Sequence, residues 1–327
     1  MWGKHETMYT DASCYHAALG TLLLDAFPGT DPALLLGSQT GTRVVLRDGG
    51  LLFGDVVPGL LATLRSRGCL LERTRAAAGG GAAGLAELLA GGTPVVVELD
   101  TYYLDHFWMN RGQVHALHSV VLRGFDARER TVRVTDPGDV VFLDERLPLA
   151  ALEPALGRED LGQSWLTMAP TGTWCPPAPA DLAAEWAVHV DALGARGRRW
   201  LSGAELAGAL DERIDGLFAG PRGGGSDPDA VPRLQHGIWN YHHTLRWFGR
   251  YLRALGATHA AAAAAAAVER AAQDLLVVRS LLRHTGPEDP ARADRHRTEA
   301  RRRLDRIARG LDDAAARLAA LPGVDRA

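Results

Sequence analysis

Three residues in the first half of the chain have side chains suited to nucleophilic catalysis by a thiol. Cys14 stands where the apolar spacing of residues 14–26 predicts that a helix starts, and free backbone N–H groups at a helix start stabilise a thiolate. His118 precedes one apolar run and Asp136 follows another. An imidazole that accepts the thiol proton and an acid that orients the imidazole complete such a centre. The residue types therefore predict a Cys–His–Asp centre with Cys14 as the nucleophile.

Two neighbouring strands are needed to bring the histidine and the aspartate together. Residues 119–122 form a short apolar run, and residues 131–135 alternate between apolar and polar side chains as a half-buried strand does. In an antiparallel hairpin, the start of one strand faces the end of the other. If these two segments form a hairpin, His118 lies beside Asp136.

The first half mixes helix and strand patterns. Four segments predict a single antiparallel sheet: residues 94–99, 119–122, 131–135 and 140–143. The first of them is continuously apolar and β-branched, which predicts a buried strand. A further short strand is predicted at residues 44–46, and helices at residues 14–26, 56–67 and 85–89.

The second half predicts helices almost exclusively. They cover residues 182–193, 203–218, 239–255, 260–282 and 291–321, and a loop rich in Gly, Pro and Asp covers residues 220–232. The proline-rich residues 175–179 fit an extended linker. We therefore predict an α+β fold, with a helix and an antiparallel sheet in residues 1–172 and an all-helical domain in residues 173–327.

Two other histidines are alternatives to His118. His16 follows Cys14 by two residues, so on a helix it points to a different side, and His115 would lie in the loop before His118. A zinc site made of Cys14, His16, His115 and His118 is a further interpretation, but no Cys-x-x-Cys pair supports it. We predict no metal.

An acyl-transfer centre also needs hydrogen-bond donors for an oxyanion. The backbone N–H of Cys14 is the natural first donor. For the second donor the sequence leaves several polar side chains open: Thr7, Thr10, Ser13, Gln39 and Asn110.

Composition restricts the class of protein. The formal charge is −3, so there is no strongly basic surface of the kind that binds nucleic acid. The three cysteines, an odd number, argue against a disulfide framework and for a reducing compartment. No run reaches the roughly 18 apolar residues of a membrane span, and the charged residues 1–13 lack the apolar core of a secretory signal. We expect a cytoplasmic protein that binds neither membrane nor nucleic acid.

Four segments resemble the butirosin-biosynthesis protein H family: DASCYHAALG at residues 11–20, GTPVVVELDTYYL at 92–104, HALHSVVLRGFD at 115–126 and VRVTDP at 132–137. The last two are also similar to the His and Asp segments of double-glycine leader peptidases, which share a papain-like fold. The helical half looks like the domain commonly fused behind this one, so the resemblance spans most of the chain.

The resemblance implies a papain-like fold and an acyl transfer. The namesake of the family moves an aminoacyl group from the phosphopantetheine thioester of a carrier protein to an amine of an antibiotic precursor. Cys14, His118 and Asp136 match its triad positions, so an acyl-Cys14 intermediate is expected. The implied partners are an acyl or peptidyl carrier protein and a small amine acceptor in antibiotic or nonribosomal peptide biosynthesis. No cofactor is bound, because the phosphopantetheine belongs to the carrier. A homodimer remains open.

Five further residues are predicted to contact the substrate. Asp100 matches an acidic position of the family and would bind an amine, although a turn residue at a strand end explains it equally well. Tyr103 is predicted to bind the substrate, and His115 would either line the substrate entrance or simply be exposed. Trp239 and His242 lie on an aromatic-rich segment that forms either a wall of the acceptor site or a packed helix.

Other functions use the same residues. A cysteine peptidase, amidase or thioesterase has the same triad with water as the acceptor. A non-catalytic binding protein that kept the fold is the third interpretation.

Overall fold

The structure is a computed structural model. It describes residues 14–38, 44–47, 50–53, 57–75, 81–108, 110–113, 115–137, 142–156, 164–170, 175, 203–218, 230–255, 258–284 and 289–321. Four of the proposed oxyanion donors lie outside these residues: Thr7, Thr10, Ser13 and Gln39. So do the predicted helix at residues 182–193 and most of the predicted linker.

Seventeen helices and strands and one 3₁₀ turn follow one another along the described residues. The first half contains α1 (Cys14–Ala26), α2 (Pro32–Leu36), β1 (Val44–Arg47), β2 (Gly50–Phe53), α3 (Val57–Ser66), β3 (Cys69–Arg75), α4 (Gly81–Ala90), β4 (Val95–Asp100), β5 (Leu117–Asp126), β6 (Thr131–Pro137), β7 (Phe142–Pro148), α5 (Leu149–Leu156) and β8 (Ser164–Pro170). A 3₁₀ turn, Thr101–Tyr103, follows β4. The second half contains α6 (Gly203–Phe218), α7 (Ala230–Ala254), α8 (His259–Arg283) and α9 (Pro290–Ala319).

These elements form two compact units. The sheet unit comprises the described residues up to Leu35 and from Leu61 to Cys175, and the helical unit comprises those of Leu36–Leu60 and from Pro176 onward. The chain is therefore α+β. No helix among the described residues is both long and apolar enough to cross a bilayer.

An antiparallel sheet of six strands, in the order β3-β8-β4-β5-β6-β7, forms the centre of the sheet unit. The four predicted segments overlap its neighbouring strands β4, β5, β6 and β7, so the prediction of one antiparallel sheet is confirmed. The last segment, residues 140–143, shares only residues 142 and 143 with β7, and residues 140 and 141 lie outside the described residues. The sequence analysis missed β3 and β8. β3 lies at an edge of the sheet, and only its first three residues are apolar, followed by three charged residues and a threonine. Such a composition does not stand out as a strand.

Strand β5 is longer than predicted. The prediction ended it before Arg123 and Gly124, but the strand continues to Asp126. Its register with β6 shifts between Arg123 and Phe125, and Gly124 at this irregularity has φ of 51°. A glycine that adopts a positive φ lets a strand pass through a bulge instead of ending.

Apolar side chains cover one face of this sheet. Val97, Val120 and Val134 belong to a buried cluster that also contains residues of α4 and α5. The other face lies against α1, which contacts β4, β5 and β6. Burial on both faces explains why β4 is a continuous apolar run rather than an alternating one.

Helix α1 is the predicted helix, with the predicted bounds. Its nine consecutive residues from His16 to Leu24 are all buried, as expected for a helix that is apolar on all sides. Near its end, Asp25 pairs with the buried Arg123 of β5, which also donates to Thr135 Oγ1 of β6. This charge pair attaches α1 to the sheet.

The helical unit consists of long helices and a hairpin. α8 packs against α7 and α9, and α9 packs against α6. Helix α7 begins at Ala230, nine residues before the predicted start, because a proline in the first turn of a helix is tolerated. The apolar hairpin β1–β2 contacts α6 and α7. Residues 36–60 therefore belong to this unit, whereas the prediction placed them in the first domain.

Candidate functional site

Three elements bring the predicted triad together at one edge of the sheet. Cys14 is the first residue of α1, His118 is the second residue of β5 and Asp136 is the last but one of β6. Val121 pairs with Thr135, and continuing that antiparallel register towards the start of β5 brings Asp136 near His118. Both residues lie inside their strands. The sequence analysis placed them just outside, because the apolar runs predicted shorter strands.

The histidine and the aspartate form a short, buried hydrogen bond. His118 Nε2 lies 2.8 Å from Asp136 Oδ2, and the Asp136 side chain is fully buried. A carboxylate only accepts hydrogen bonds, so His118 Nε2 is the donor. The other ring nitrogen, Nδ1, is then the one available to Cys14, whose sulfur is within hydrogen-bonding reach of His118.

The surroundings favour the charged forms of Cys14 and His118. Burial alone would raise the pKa of Cys14, but the hydrogen bond and charge of His118, with hydrogen bonds from Ser119, lower it below its usual 9.0. Burial alone would lower the pKa of His118, but hydrogen bonds and charges from Asp136 and Cys14 raise it to about 10. The arrangement therefore stabilises a thiolate–imidazolium pair, which is the reactive form of a catalytic cysteine.

A second histidine binds the same aspartate oxygen. His106 Nε2 lies 3.0 Å from Asp136 Oδ2. Burial would raise the pKa of Asp136, but the hydrogen bonds and charges of His106 and His118 lower it. The aspartate thus stays ionised in a place without water.

The sequence analysis missed His106 and Ser119. His106 belongs to the long connection between β4 and β5, where residue spacing carries no information about geometry. Its only signal is that it is one of three histidines between residues 106 and 118. Ser119 follows His118 directly, and it is buried and donates to the Cys14 sulfur. Phe107 packs on His118 with ring centroids 4.6 Å apart.

Three of the predicted substrate residues, Asp100, Tyr103 and His115, lie together beside the 3₁₀ turn that follows β4. Asp100 is fully buried, and its carboxylate accepts from the Tyr102 backbone N–H at 3.0 Å and from His115 Nδ1 at 2.7 Å. The carboxylate thereby caps the 3₁₀ turn. The His115 ring stacks on Tyr102, and Tyr103 lies next to both rings. This placement agrees with the alternative interpretation of Asp100, a turn residue at a strand end.

The other two predicted substrate residues, Trp239 and His242, lie on α7 of the helical unit. Their rings stack with centroids 6.0 Å apart, and the guanidinium of Arg279 lies over Trp239. His242 is buried, and its Nδ1 donates to the backbone oxygen of Ala272 at 2.7 Å. Inside this unit His242 therefore serves packing between helices, and contact of either residue with substrate stays a prediction.

The residues of the zinc interpretation do not form a metal site. Among the described residues, no group of three or more His, Cys, Asp or Glu side chains is placed to hold a metal ion. His16 is buried, and burial lowers its pKa to about 4, so it is neutral. His115 binds Asp100 instead of approaching a thiol.

Only one of the side chains considered as second oxyanion donors belongs to the described residues. The amide Nδ2 of Asn110 donates to Thr101 Oγ1 at 3.0 Å, so Asn110 stabilises the loop after β4. The backbone N–H of Cys14, at the start of α1, keeps its predicted role as the first donor.

Comparisons with known proteins add no relative. No protein-family model matches this chain, and the search of curated proteins finds no match. The geometry of the site is therefore the main support for any proposed chemistry.

Proposed function

We propose that this protein is a cysteine acyltransferase that forms an amide from a thioester carried by an acyl or peptidyl carrier protein. One observation carries the proposal: His118 binds buried Asp136 through Nε2 and reaches the Cys14 sulfur at the start of a helix. Nucleophile, base and orienting carboxylate then stand in the order that covalent acyl transfer requires. A papain-like arrangement of the sheet unit is part of the proposal.

The first half of the reaction acylates the cysteine. The Cys14 thiolate attacks the thioester carbonyl, and the negative charge that develops on oxygen is stabilised by the backbone N–H of Cys14. When the carbon–sulfur bond of the donor breaks, His118 gives its Nδ1 proton to the departing pantetheine thiol. An acyl-Cys14 thioester and a neutral His118 remain.

The second half transfers the acyl group to nitrogen. A primary amine attacks the acyl-Cys14 carbonyl, and His118 takes the proton that the amine loses. The carbon–sulfur bond then breaks, the amide leaves, and the thiolate–imidazolium pair forms again. A pocket that excludes water would favour the amine over hydrolysis.

The choice of a carrier-bound donor rests on the resemblance of four sequence segments to the butirosin-biosynthesis protein H family. The same resemblance supports a cytoplasmic location, a small amine acceptor in antibiotic or nonribosomal peptide biosynthesis, and a helical unit that binds the carrier or covers the acceptor. Substrate contacts by Asp100, Tyr103, His115, Trp239 and His242 belong to this part of the proposal.

Intact-protein mass spectrometry tests the covalent step. The protein is incubated with a panel of aminoacyl-pantetheine thioesters, and in parallel with iodoacetamide at pH 7. We expect an acyl adduct that disappears in Cys14→Ala and persists in Cys175→Ser, which removes the exposed cysteine. If Cys14 takes up neither the acyl group nor iodoacetamide, the protein is not a cysteine-dependent enzyme and the binding-protein interpretation replaces the proposal.

A second measurement separates transfer from hydrolysis. Primary amines are added to the acylated protein, and the products are identified by chromatography with mass detection. Amide formation that depends on Cys14 supports a transferase, whereas release of free acid at the same rate with and without amines indicates a peptidase, amidase or thioesterase.

A further inference from the structure

Asp136 holds two histidines on a single oxygen atom, and the triad uses only one of them. Oδ2 lies 2.8 Å from His118 Nε2 and 3.0 Å from His106 Nε2. The aspartate side chain is fully buried, and the side chains of His118 and His106 are 8% and 13% exposed. The second imidazole therefore binds the same buried carboxylate oxygen as the first.

The backbone holds His106 at this place. Leu104 N–H donates to Thr101 O, Phe107 N–H to Leu104 O and Asn110 N–H to Phe107 O, so hydrogen bonds span the segment on both sides of His106. The histidine is thus placed by an ordered turn rather than by an open loop. Such support is what a side chain needs to keep a fixed geometry.

We propose that His106 is a positioning residue that donates its Nε2–H to Asp136 and keeps this carboxylate charged and oriented while His118 loses and regains its proton. This inference rests on the Cys14–His118 pair of the proposed function. It adds a fourth residue to the triad, one that acts through Asp136 and does not touch the reacting atoms.

The physical reason lies in the charge of His118 during the reaction. A carboxylate removed from water needs charged or hydrogen-bonding partners to stay ionised. Before attack, His118 is an imidazolium and supplies a full positive charge to Asp136. After His118 has given its proton to the leaving thiol, it is neutral and supplies one hydrogen bond only. The N–H of His106 is then the second donor to Asp136.

The consequence for the reaction follows from the same charge. Without the His106 donor, more of the negative charge of Asp136 acts on His118. His118 then holds its proton more tightly, so the imidazolium persists but gives its proton to the departing thiol less readily. Among the described residues, the titratable groups that act on Asp136 include His106 and His118, and those that act on His118 include Asp136 and Cys14. Loss of the donor must therefore slow acyl transfer while the Cys14 thiolate stays reactive.

Two variants separate the donor from the shape of the ring. His106→Phe keeps a flat ring without an N–H, and His106→Gln keeps an N–H donor on a side chain of similar length. The rates of Cys14 alkylation by iodoacetamide and of acyl transfer to Cys14 from an aminoacyl-pantetheine thioester are measured from pH 4 to pH 10 in Cys175→Ser protein. We expect His106→Phe to retain alkylation at pH 7 and to transfer the acyl group about three- to tenfold more slowly, and most of the transfer rate to return in His106→Gln.

The control is His284→Phe, in the helical unit, where the exposed ring donates to the Ser280 backbone oxygen. It should leave the profile of Cys14 unchanged. Circular dichroism checks the fold of each variant, and His106→Ala serves as a second donor-free variant if His106→Phe does not fold.

An unchanged rate of acyl transfer in the folded donor-free variant would overturn the role of His106, and so would a His106→Gln protein that transfers as slowly as His106→Phe. A wild-type Cys14 that does not react at neutral pH contradicts the proposed function instead. The two failures are therefore distinguishable.

Discussion

Asp136 and Asp100 are two buried aspartates in similar places with different surroundings. Strands β4 and β6 both run antiparallel to β5, so their C-terminal ends lie at the same edge of the sheet. Asp100 ends β4 and binds His115, and Asp136 lies at the end of β6 and binds His118. Both aspartate side chains are fully buried.

The difference lies in what each histidine touches next. His118 is almost completely buried and reaches the sulfur of Cys14, and a second histidine supports its aspartate. The side chain of His115 is 41% exposed and stacks on Tyr102, and its aspartate also caps a backbone turn. The two His–Asp pairs are thus alike, and the described contact with a cysteine belongs to His118. In the proposed function, this contact makes the pair of His118 and Asp136 catalytic.

The largest effect should come from neutralising each aspartate in turn. Asp136→Asn removes the charge that keeps His118 protonated, so we expect Cys14-dependent acyl transfer to fall by about 100-fold or more. Asp100→Asn should change the rate by less than about threefold, because the Asp100 carboxylate binds the Tyr102 N–H and His115 and thereby holds the turn after β4. Both rates are measured with an aminoacyl-pantetheine thioester under saturating conditions. Equal losses of the acyl-transfer rate in the two variants would show that the two aspartates contribute equally to the reaction, contrary to this prediction.

The pH dependence of thiol reactivity is the next largest effect. The pKa of Cys14 is lowered by His118, so alkylation should level off well below pH 9.0, the usual pKa of a thiol. Acyl transfer should decline as the pH rises through about 10, where His118 loses the proton that the leaving thiol needs. Asp100→Asn should retain this profile, whereas Asp136→Asn should move the acid limb upward.

Cys69 is an internal reference for that measurement. Burial raises its pKa to about 11, so at pH 7 roughly one molecule in ten thousand carries this thiolate. Peptide mapping after a short iodoacetamide pulse at pH 7 should find label on Cys14 and none on Cys69. Label on both cysteines at similar rates would mean that His118 does not activate Cys14.

The smallest expected effect concerns the structural work of Asp100. Asp100→Ala removes the acceptor of the Tyr102 N–H and of His115, so the free energy of unfolding should fall by about 1–2 kcal/mol. Asp100→Asn keeps an oxygen for the Tyr102 N–H and should lose less. Urea unfolding followed by circular dichroism measures both, and the reactivity of Cys14 reports any effect on the site. A slow Cys14 in a stable Asp100→Ala protein would give Asp100 a part in the reaction.

Local patterns predict the parts of the fold whose burial repeats along the chain. The apolar spacing of α1 and of β4, β5, β6 and β7 is such a pattern, and the predicted types of these elements are confirmed. The proximity of Cys14, His118 and Asp136 could be predicted for the same reason, because each residue lies near the end of such an element. Helix α6 has the predicted bounds as well.

Features that depend on partners distant in the chain could not be predicted. Strand β3 exists because it pairs with β8, and neither segment has a distinctive period of its own. The hairpin β1–β2 joins the helical unit because of contacts with α6 and α7, which no local pattern encodes. His106 and Asp136 are 30 residues apart in the sequence, and an irregular connection brings them into contact. No local sequence pattern indicates that contact.

Helix α1 is attached to strand β5 at two separate points. Asp25 holds Arg123 near one end, and Cys14 contacts His118 and Ser119 near the other. Eleven helical residues rise about 16 Å, and the four residue steps from Ser119 to Arg123 cover about 13 Å of strand, so the two lengths nearly match. A charge pair more than a nanometre from Cys14 is thus one of two attachments that hold α1 against the strand that carries His118. We expect substitutions of Asp25 or Arg123 to change the reactivity of Cys14 without touching any substrate.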